Sequence, residues 1–232
     1  MQVNIIADVG VNHQGDPTLC KLMVMEAHNA GADYVKFQMF STIPELRHLE
    51  FTPEAWQEIF RFCDIQGVKW FCTPFDIDAV WFLRSHRQSI WKIPSNPRVI
   101  ENRALCNTIG YSPSRELTII STGISGDKDI LRLIGYFDDK PIVIMHCVSK
   151  YPTPEDELNL ERIDALKIYG HPVGFSDHSL STKAPAEAVK LGATWIEKHF
   201  TLDRNMEGPD HKASMEPGEF AEMVGRVRDA LV

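Results

Sequence analysis

The sequence predicts an α/β protein that folds as a single (β/α)8, or TIM, barrel. Eight short β-rich runs alternate strictly with segments of helical periodicity along a chain of 232 residues, a pattern typical of parallel strands joined by crossover helices. An apolar content of 44% is enough for one sizeable core. No linker or low-complexity tract divides the sequence, so we assign residues 1–232 to one barrel domain. A doubly wound open sheet is the alternative arrangement of these elements.

The predicted strands are rich in β-branched and aromatic residues. In chain order they cover residues 3–9, 33–38, 69–75, 89–95, 117–123, 141–147, 172–177 and 194–200. The predicted helices cover 17–31, 53–67, 78–86, 101–109, 127–137, 158–170 and 183–192, and a last helix covers 217–232. Several end at glycine, as helix C-termini often do. The longest connection is residues 39–52.

Composition narrows the class of ligand. The net charge of -8 offers no basic field for nucleic acid or anionic lipid, so an anionic ligand would need a local cluster of cations. The five cysteines are scattered and never form a CxxC pair, which argues against a disulfide framework or a zinc ribbon. The opening MQVNIIADVG has no signal-peptide pattern, and no long apolar run follows. We therefore expect a cytoplasmic protein that acts on small molecules and binds neither nucleic acid nor membrane.

Polar side chains end one predicted strand after another, at the barrel face where TIM-barrel enzymes carry their chemistry. The set comprises Asp8, Asn12, His13, Lys36, Gln38, Thr73, Lys92, Ser95, Ser121, His146, Ser149, Ser176, His178, Glu197 and His199. Because side chains two apart share one face of a strand, Lys36 and Gln38 are predicted to point together. The same alternation pairs Glu197 with His199 and turns Lys198 to the other side.

Two lysines within this set indicate an anion site. Cations and hydroxyl donors at one rim suit a small phosphorylated anion, and the residues that supply them are Lys36, Lys92, Thr73, Ser95, Ser121 and Ser176. The acidic average of the chain makes this local excess of cations informative. The alternative is that each lysine is merely solvated or ion-paired.

Two histidines end the adjacent strands 7 and 8. His178 and His199 can therefore approach each other and offer two imidazole nitrogens to a divalent transition metal such as manganese, iron, cobalt or zinc, with other positions open to water or substrate. The alternative is a pair of hydrogen-bonded core histidines.

Longer motifs carry a family resemblance that spans the chain in order. The segments IADVGVNHQGD, AGADYVKFQ, CTPF, KIPS, STG, HCVSKYPTP and GFSDHSL, and above all LGATWIEKHFTLDRNMEGPDHKASMEP, resemble the sialic acid synthase family. Its bacterial and animal members condense phosphoenolpyruvate with N-acetylmannosamine or a related sugar. The resemblance implies the same reaction here, giving phosphate and a nine-carbon 2-keto acid.

The resemblance also assigns roles to individual positions. His178 and His199 match the metal ligands, usually of manganese, and with Asp8 and Lys92 they form the expected catalytic set. The expected phosphoenolpyruvate contacts are Lys36, Thr73, Lys92, Ser95, Ser121, Ser149 and Ser176, where Ser149 replaces an asparagine of some members. The expected contacts to the open-chain amino sugar are Asp8, Gln38, Tyr151 and Asp210.

The sequence departs from the family pattern at three places. Asp8 replaces a glutamate, and Asn96 and Pro97 stand after KIPS where glycine and glutamate are usual, so that Glu101 would compensate only if its loop folded back. We also expect no C-terminal antifreeze-like domain, and a homo-oligomer or a separate antifreeze-like protein as the possible partner. Condensation with a different aldose and a degenerate, non-catalytic paralogue therefore remain as alternatives.

Overall fold

Eight parallel strands form a barrel inside a layer of helices. The structure is a computed structural model that describes residues 2–40, 43–111 and 116–231. The strands are β1 Asn4–Gly10, β2 Tyr34–Met39, β3 Trp70–Pro74, β4 Ile90–Ile93, β5 Leu117–Ser121, β6 Ile142–Cys147, β7 Val173–Asp177 and β8 Trp195–His199. Each lies where a strand was predicted, with ends that differ by at most two residues. The predicted (β/α)8 barrel is confirmed.

The helices follow the predicted periodic segments, with one addition. They are α1 Pro17–Asn29, α2 Pro53–Gln66, α3 Ile77–Ser85, α4 Pro97–Ile100, α5 Arg103–Gly110, α6 Asp127–Gly135, α7 Arg162–Leu166, α8 Ala184–Lys190 and α9 Pro217–Asp229. The short helix α4 was not predicted. It begins because Asn96 caps it, accepting a hydrogen bond from the Arg98 amide at 3.0 Å, and because proline suits the first helical position.

The predicted long connection, residues 39–52, is only partly regular. Residues 41 and 42 of this connection lie outside the described residues. Its later part contains a single 3-10 turn, Arg47–Leu49.

The strand order explains how the barrel closes. Hydrogen bonding runs β3-β2-β1-β8-β7-β6-β5-β4, so the first and last strands are neighbours and an open doubly wound sheet is excluded. The two ends of this order, β3 and β4, are linked by the Gln88 side chain. Its Oε1 accepts from the Cys72 amide at 2.7 Å and its Nε2 donates to the Cys72 carbonyl at 3.0 Å. A side-chain amide thus occupies the place of a neighbouring strand.

The barrel interior has an apolar lower layer and a polar upper layer. The lower layer is a buried cluster of Ile6, Phe71, Ile90, Ile119, Val143, Met145 and Trp195. Gly174 leaves room for Trp195, because a Cβ at Gly174 would lie 2.8 Å from the Trp195 carbonyl oxygen. The larger core packs between the strands and the helices. The interior is therefore closed at one end, and its polar layer faces the carboxyl ends of the strands.

Among the described residues, none of the helices combines the length and the apolar character needed to cross a membrane.

Candidate active site

One pocket opens at the carboxyl ends of the strands. Every predicted site residue except Ser149 lines it: Asp8, Lys36, Gln38, Thr73, Lys92, Ser95, Ser121, Tyr151, Ser176, His178, His199 and Asp210. Strand alternation is the reason, because inward-facing residues two apart on each strand rise from the apolar layer into the pocket. The intervening Lys198 points outward, as predicted, and pairs there with Asp177.

Four of the predicted strand-end residues do not line the pocket: Asn12, His13, His146 and Ser149. The Ser149 side chain lies at the rim and donates to the Ser95 hydroxyl at 3.2 Å. His146 is buried against Phe175 on the helix side of β6, and His13 stacks on Phe51 at 4.1 Å between ring centroids. Both histidines therefore pack as core residues.

Four charged side chains form the floor of the pocket. Lys36 Nζ lies 2.6 Å from Asp8 Oδ2 and 3.8 Å from Glu197 Oε1. Lys92 Nζ donates to both carboxylate oxygens of Glu197, each at 2.8 Å. All four side chains are at most 6% exposed. Two cations and two anions are thus held together out of water, and their formal charges cancel.

Burial and neighbouring charges shift the pKa values of these groups. Burial lowers the pKa of Lys36, but Asp8 and Glu197 outweigh it and the pKa rises above its usual value. Burial also lowers the pKa of Lys92. Glu197 raises this pKa, but the positive charge of Lys36 lowers it again, so the net pKa of Lys92 lies below its usual value. Burial would raise the pKa of Glu197, yet the two lysines hold it well below its usual value. Glu197 is therefore ionised at neutral pH.

Hydroxyl groups surround this floor, and two of them have no partner. Ser176 donates to Glu197 Oε1 at 2.9 Å, and Ser95 Oγ accepts from the Ile124 amide at 2.9 Å. Thr73 Oγ1 and Ser121 Oγ are buried and make no hydrogen bond within the described part of the chain. Buried polar groups normally have partners, so these two hydroxyls, which line the same pocket as the two lysines, have hydrogen-bonding capacity for a polar ligand.

The two histidines face each other across the pocket, with ring centroids 5.6 Å apart. His178 Nδ1 lies 2.5 Å from the Val148 carbonyl oxygen. Since a carbonyl only accepts, Nδ1 carries the hydrogen, and Nε2 keeps its lone pair, within 3.2 Å of the Tyr151 hydroxyl. Burial, together with the neighbouring His199, lowers the pKa of His178 to about 4. The ring is therefore neutral at physiological pH, as a metal ligand must be.

His199 offers the second nitrogen. Its Nδ1 is buried with no hydrogen-bond partner among the described residues and lies 3.6 Å from Asp8 Oδ2 and 3.9 Å from Asp210 Oδ2. A donation from His178 to a backbone carbonyl is the usual second contact of a metal-bound histidine. The donor set therefore fits a divalent cation held by two imidazoles. Within the described ranges, no group of three or more histidine, cysteine or acidic side chains is arranged to hold a metal, so water or substrate would supply the other ligands.

One side of the pocket carries the residues expected to contact a sugar. Gln38 Nε2 lies 3.3 Å from Asp8 Oδ2, and Asp8 Oδ1 is buried without a partner among the described residues. Asp210 comes from the loop after β8, and that loop is tied to the loop after β1. Asn12 donates to the Ser214 hydroxyl at 2.9 Å, and Ser214 donates to the Asp210 carbonyl at 2.7 Å.

Glu101 does not replace the glutamate that is usual after KIPS. It is exposed, follows helix α4 as its C-cap and does not line the pocket. The loop does not fold back, because the Asn96 cap starts a helix there. Asn96 itself lines the pocket. The acidic residues of the described chain that line it are Asp8, Glu197 and Asp210.

Sequence reasoning gave Glu197 no role. Strand alternation predicted that Glu197 faces the same side as His199, but a carboxylate has no evident role in binding an anion. Its role as the counter-charge of two lysines becomes visible only in the structure. The signal in the sequence was the pairing of two inward-facing lysines, which need a buried counter-charge.

The fold and the pocket together define a class: a TIM-barrel enzyme with a buried lysine pair and a histidine pair at the carboxyl ends of its strands. The model of the NeuB family matches residues 41–231. The chain belongs to the NeuB family. The predicted resemblance and the predicted class of enzyme, a sialic acid synthase-like transferase, are confirmed.

Individual relatives agree with this assignment. The chain is 34% identical to an N,N'-diacetyllegionaminic acid synthase of Campylobacter jejuni, over 97% of the chain and 75% of the relative. It is 32% identical to the human N-acetylneuraminate-9-phosphate synthase, over 97% of the chain and 69% of the relative. The crystal structure of an N-acetylneuraminic acid synthetase from Leptospira borgpetersenii, in complex with citrate, is 33% identical and superposes with a TM-score of 0.92 over 99% of the chain and 84% of that structure.

Proposed function

We propose that this protein condenses phosphoenolpyruvate with an N-acetylated amino sugar, N-acetylmannosamine or a relative, to give a sialic acid-like nine-carbon 2-keto acid and phosphate. The observation that carries the proposal is the pair of buried lysines beside the unpaired hydroxyls of Thr73 and Ser121. Such a set binds a small phosphorylated carboxylate. The named relatives are synthases of two different sialic acid-type sugars, and this supports the class of product and acceptor without fixing the acceptor's substituents.

In the proposed reaction the pocket holds both substrates side by side. Lys36, Lys92 and the surrounding hydroxyls bind the phosphate and carboxylate of phosphoenolpyruvate, while Gln38 and Asp210 orient the open-chain sugar. The enol carbon attacks the aldehyde carbon, water adds to the resulting cationic carbon, and phosphate leaves. Glu197 stays ionised between the lysines, and its negative charge stabilises a cation that forms beside it.

His178 and His199 would hold the divalent metal, for which we propose manganese. When bound, the metal would supply Lewis acidity to the sugar aldehyde. The unpartnered Nδ1 of His199 and the lone pair of His178 Nε2, which faces the Tyr151 hydroxyl at 3.2 Å, support this assignment.

Release of inorganic phosphate from phosphoenolpyruvate tests the proposal. With manganese present, we expect release only when an N-acetylated hexosamine is added, and mass spectrometry should show the corresponding nine-carbon 2-keto acid. Release with a simpler aldose and none with any N-acetylated sugar would identify a different condensation. No release with any acceptor of the panel would contradict a catalytic role.

We further propose that the reaction takes place in the cytoplasm. All five cysteines are buried free thiols, which suits a reducing compartment.

A further inference from the structure

A fully buried ion pair lies on the outer side of β7 and β8, away from the pocket. Lys198 Nζ is 2.6 Å from Asp177 Oδ2, and both side chains have 0% exposure. Lys198 also donates to the Ser179 carbonyl at 2.5 Å, and Asp177 Oδ1 accepts from the Ser179 amide at 2.8 Å. The two charged groups thus bind each other and the backbone at the start of the β7–α8 loop.

Stability alone does not account for such a pair. Removing two charges from water is costly, and apolar side chains of similar size in place of a buried ion pair are often neutral or stabilising. The neighbouring contacts between strands and helices are apolar, so apolar residues would suit these positions. The best-attested use of a buried ion pair is to set the register between two structural elements, and here those elements are β7 and β8.

The pair aligns the two histidines. Asp177 and Lys198 are register partners in the parallel ladder of β7 and β8. His178 follows the first and His199 follows the second, and because side chains alternate, each histidine enters the pocket on the side opposite the ion pair. The bonds to Ser179 hold the backbone on both sides of His178. The relative height of the two imidazoles therefore depends on the separation that the ion pair fixes.

Most of the other side-chain and carbonyl contacts of the histidine rings come from elements other than β7 and β8. The Val148 carbonyl, just after β6, accepts a hydrogen bond from His178 Nδ1 and so fixes the orientation of the His178 ring. His199 lies 3.6 and 3.9 Å from the carboxylates of Asp8 and Asp210, and its ring meets that of Tyr151 at 5.7 Å between centroids. Among the described residues, two side-chain links join the ends of β7 and β8: the Ser176–Glu197 hydrogen bond lies on the pocket side, and the ion pair lies on the outer side, directly behind both rings.

We propose that Asp177 and Lys198 are positioning residues that hold His178 and His199 at the spacing required to bind a divalent metal. This inference rests on the proposed function, which assigns the metal to these histidines.

Titration with Mn²⁺ tests the proposal. The variant D177N/K198M removes both charges, while the amide introduced at position 177 keeps an acceptor for the Ser179 backbone N–H. The control is E187Q/K190M, which removes an exposed ion pair on helix α8. Manganese affinity is measured by calorimetry, and the melting temperature of each variant is recorded in parallel.

We expect D177N/K198M to melt close to the wild-type temperature and to bind Mn²⁺ about tenfold or more weakly, the size of effect seen for residues that support metal ligands. The control should change neither quantity. A smaller loss of affinity in the folded variant would overturn the proposal, whatever its melting temperature, because a purely structural pair would lower stability alone. If D177N/K198M does not fold, the same criterion applies to D177N/K198Q, in which the glutamine amide can still donate to the Ser179 carbonyl.

The ring ¹⁵N signals of the histidines separate this inference from the proposed function. A wild-type chain that takes up no Mn²⁺ would contradict the metal site itself. In that case, spectra without metal decide the positioning role: D177N/K198M should shift the signals of both His178 and His199, and unchanged signals would overturn it.

Discussion

In the ligand-free pocket, Glu197 is the shared counter-charge of Lys36 and Lys92. We therefore expect the stability of the protein to depend on it. The variant E197Q should lower the free energy of unfolding by about 3 kcal/mol, as expected when one partner of a buried ion pair is lost. An anion between the lysines would replace the missing charge. Phosphoenolpyruvate should therefore raise the melting temperature of E197Q more than that of the wild type, and an equal rise in both would contradict this role.

The lysines themselves are predicted to carry the anion affinity. In calorimetry, Lys36→Ala or Lys92→Ala should weaken phosphoenolpyruvate binding by about 1.5 to 3 kcal/mol, because a charge-assisted hydrogen bond is lost. Lys190→Ala, which removes an exposed ion pair outside the pocket, is the control and should bind normally. Unchanged binding in both pocket variants would place the phosphate elsewhere.

The histidine pair is predicted to act as a unit. His178→Ala and His199→Ala should each abolish turnover and strongly weaken Mn²⁺ uptake, because the ion would lose half of its protein ligands. The exposed His48 supplies the control variant His48→Ala, which should retain full metal content. Metal content that survives in the double variant H178A/H199A would disprove the assignment.

At the scale of the strands, Gly174 of β7 sets how closely β8 can approach. A Cβ at this position would meet the Trp195 carbonyl at 2.8 Å and the Trp195 Cβ at 3.0 Å, so Gly174→Ala should destabilise the protein by about 1 to 3 kcal/mol. Gly225→Ala in helix α9 is the matched control, because its Cβ would meet nothing within 4 Å. Denaturant unfolding of both variants checks this, and equal stabilities would show that the strands have room to move apart.

The strands show how far local patterning reaches. Alternation along β2 and β8 was sufficient to predict which side chains enter the pocket, because the period of a strand is fixed. It was not sufficient at the segment after β4, where one capping side chain, Asn96, turns a predicted loop into a helix and leaves Glu101 in solvent. A cap acts through a single hydrogen bond and leaves no periodic trace in the sequence.

At the scale of the whole molecule, the barrel is closed by Gln88. Gln88→Leu should leave the Cys72 amide and carbonyl unpaired, and this should cost about 2 to 6 kcal/mol of stability at roughly 1 to 3 kcal/mol for each buried group. Gln57→Leu on the exposed face of helix α2 is the control. Hydrogen exchange should accelerate at the Cys72 amide, and protection equal to the wild type would show that β3 and β4 do not need this link.

The closure by Gln88 could not be predicted from the sequence. Gln88 precedes a predicted strand, and nothing distinguishes it from an ordinary loop residue. Its role arises only because β3 and β4 lie at the two ends of the hydrogen-bonded strand order. The order itself follows from the alternation of elements, since eight βα units of this kind close on themselves. Global topology was thus predictable, whereas the side chain that completes it was not.

The cancellation of charge on the pocket floor also governs how a substrate arrives. The molecule as a whole carries a net charge of -8, and Asp8 and Glu197 neutralise the two lysines that would otherwise attract an anion from a distance. A phosphorylated anion therefore approaches against the far field of the protein and meets attraction only after it enters the pocket. Dissolved salt screens that field over a length of about 8 to 10 Å, so moderate ionic strength speeds the encounter instead of slowing it.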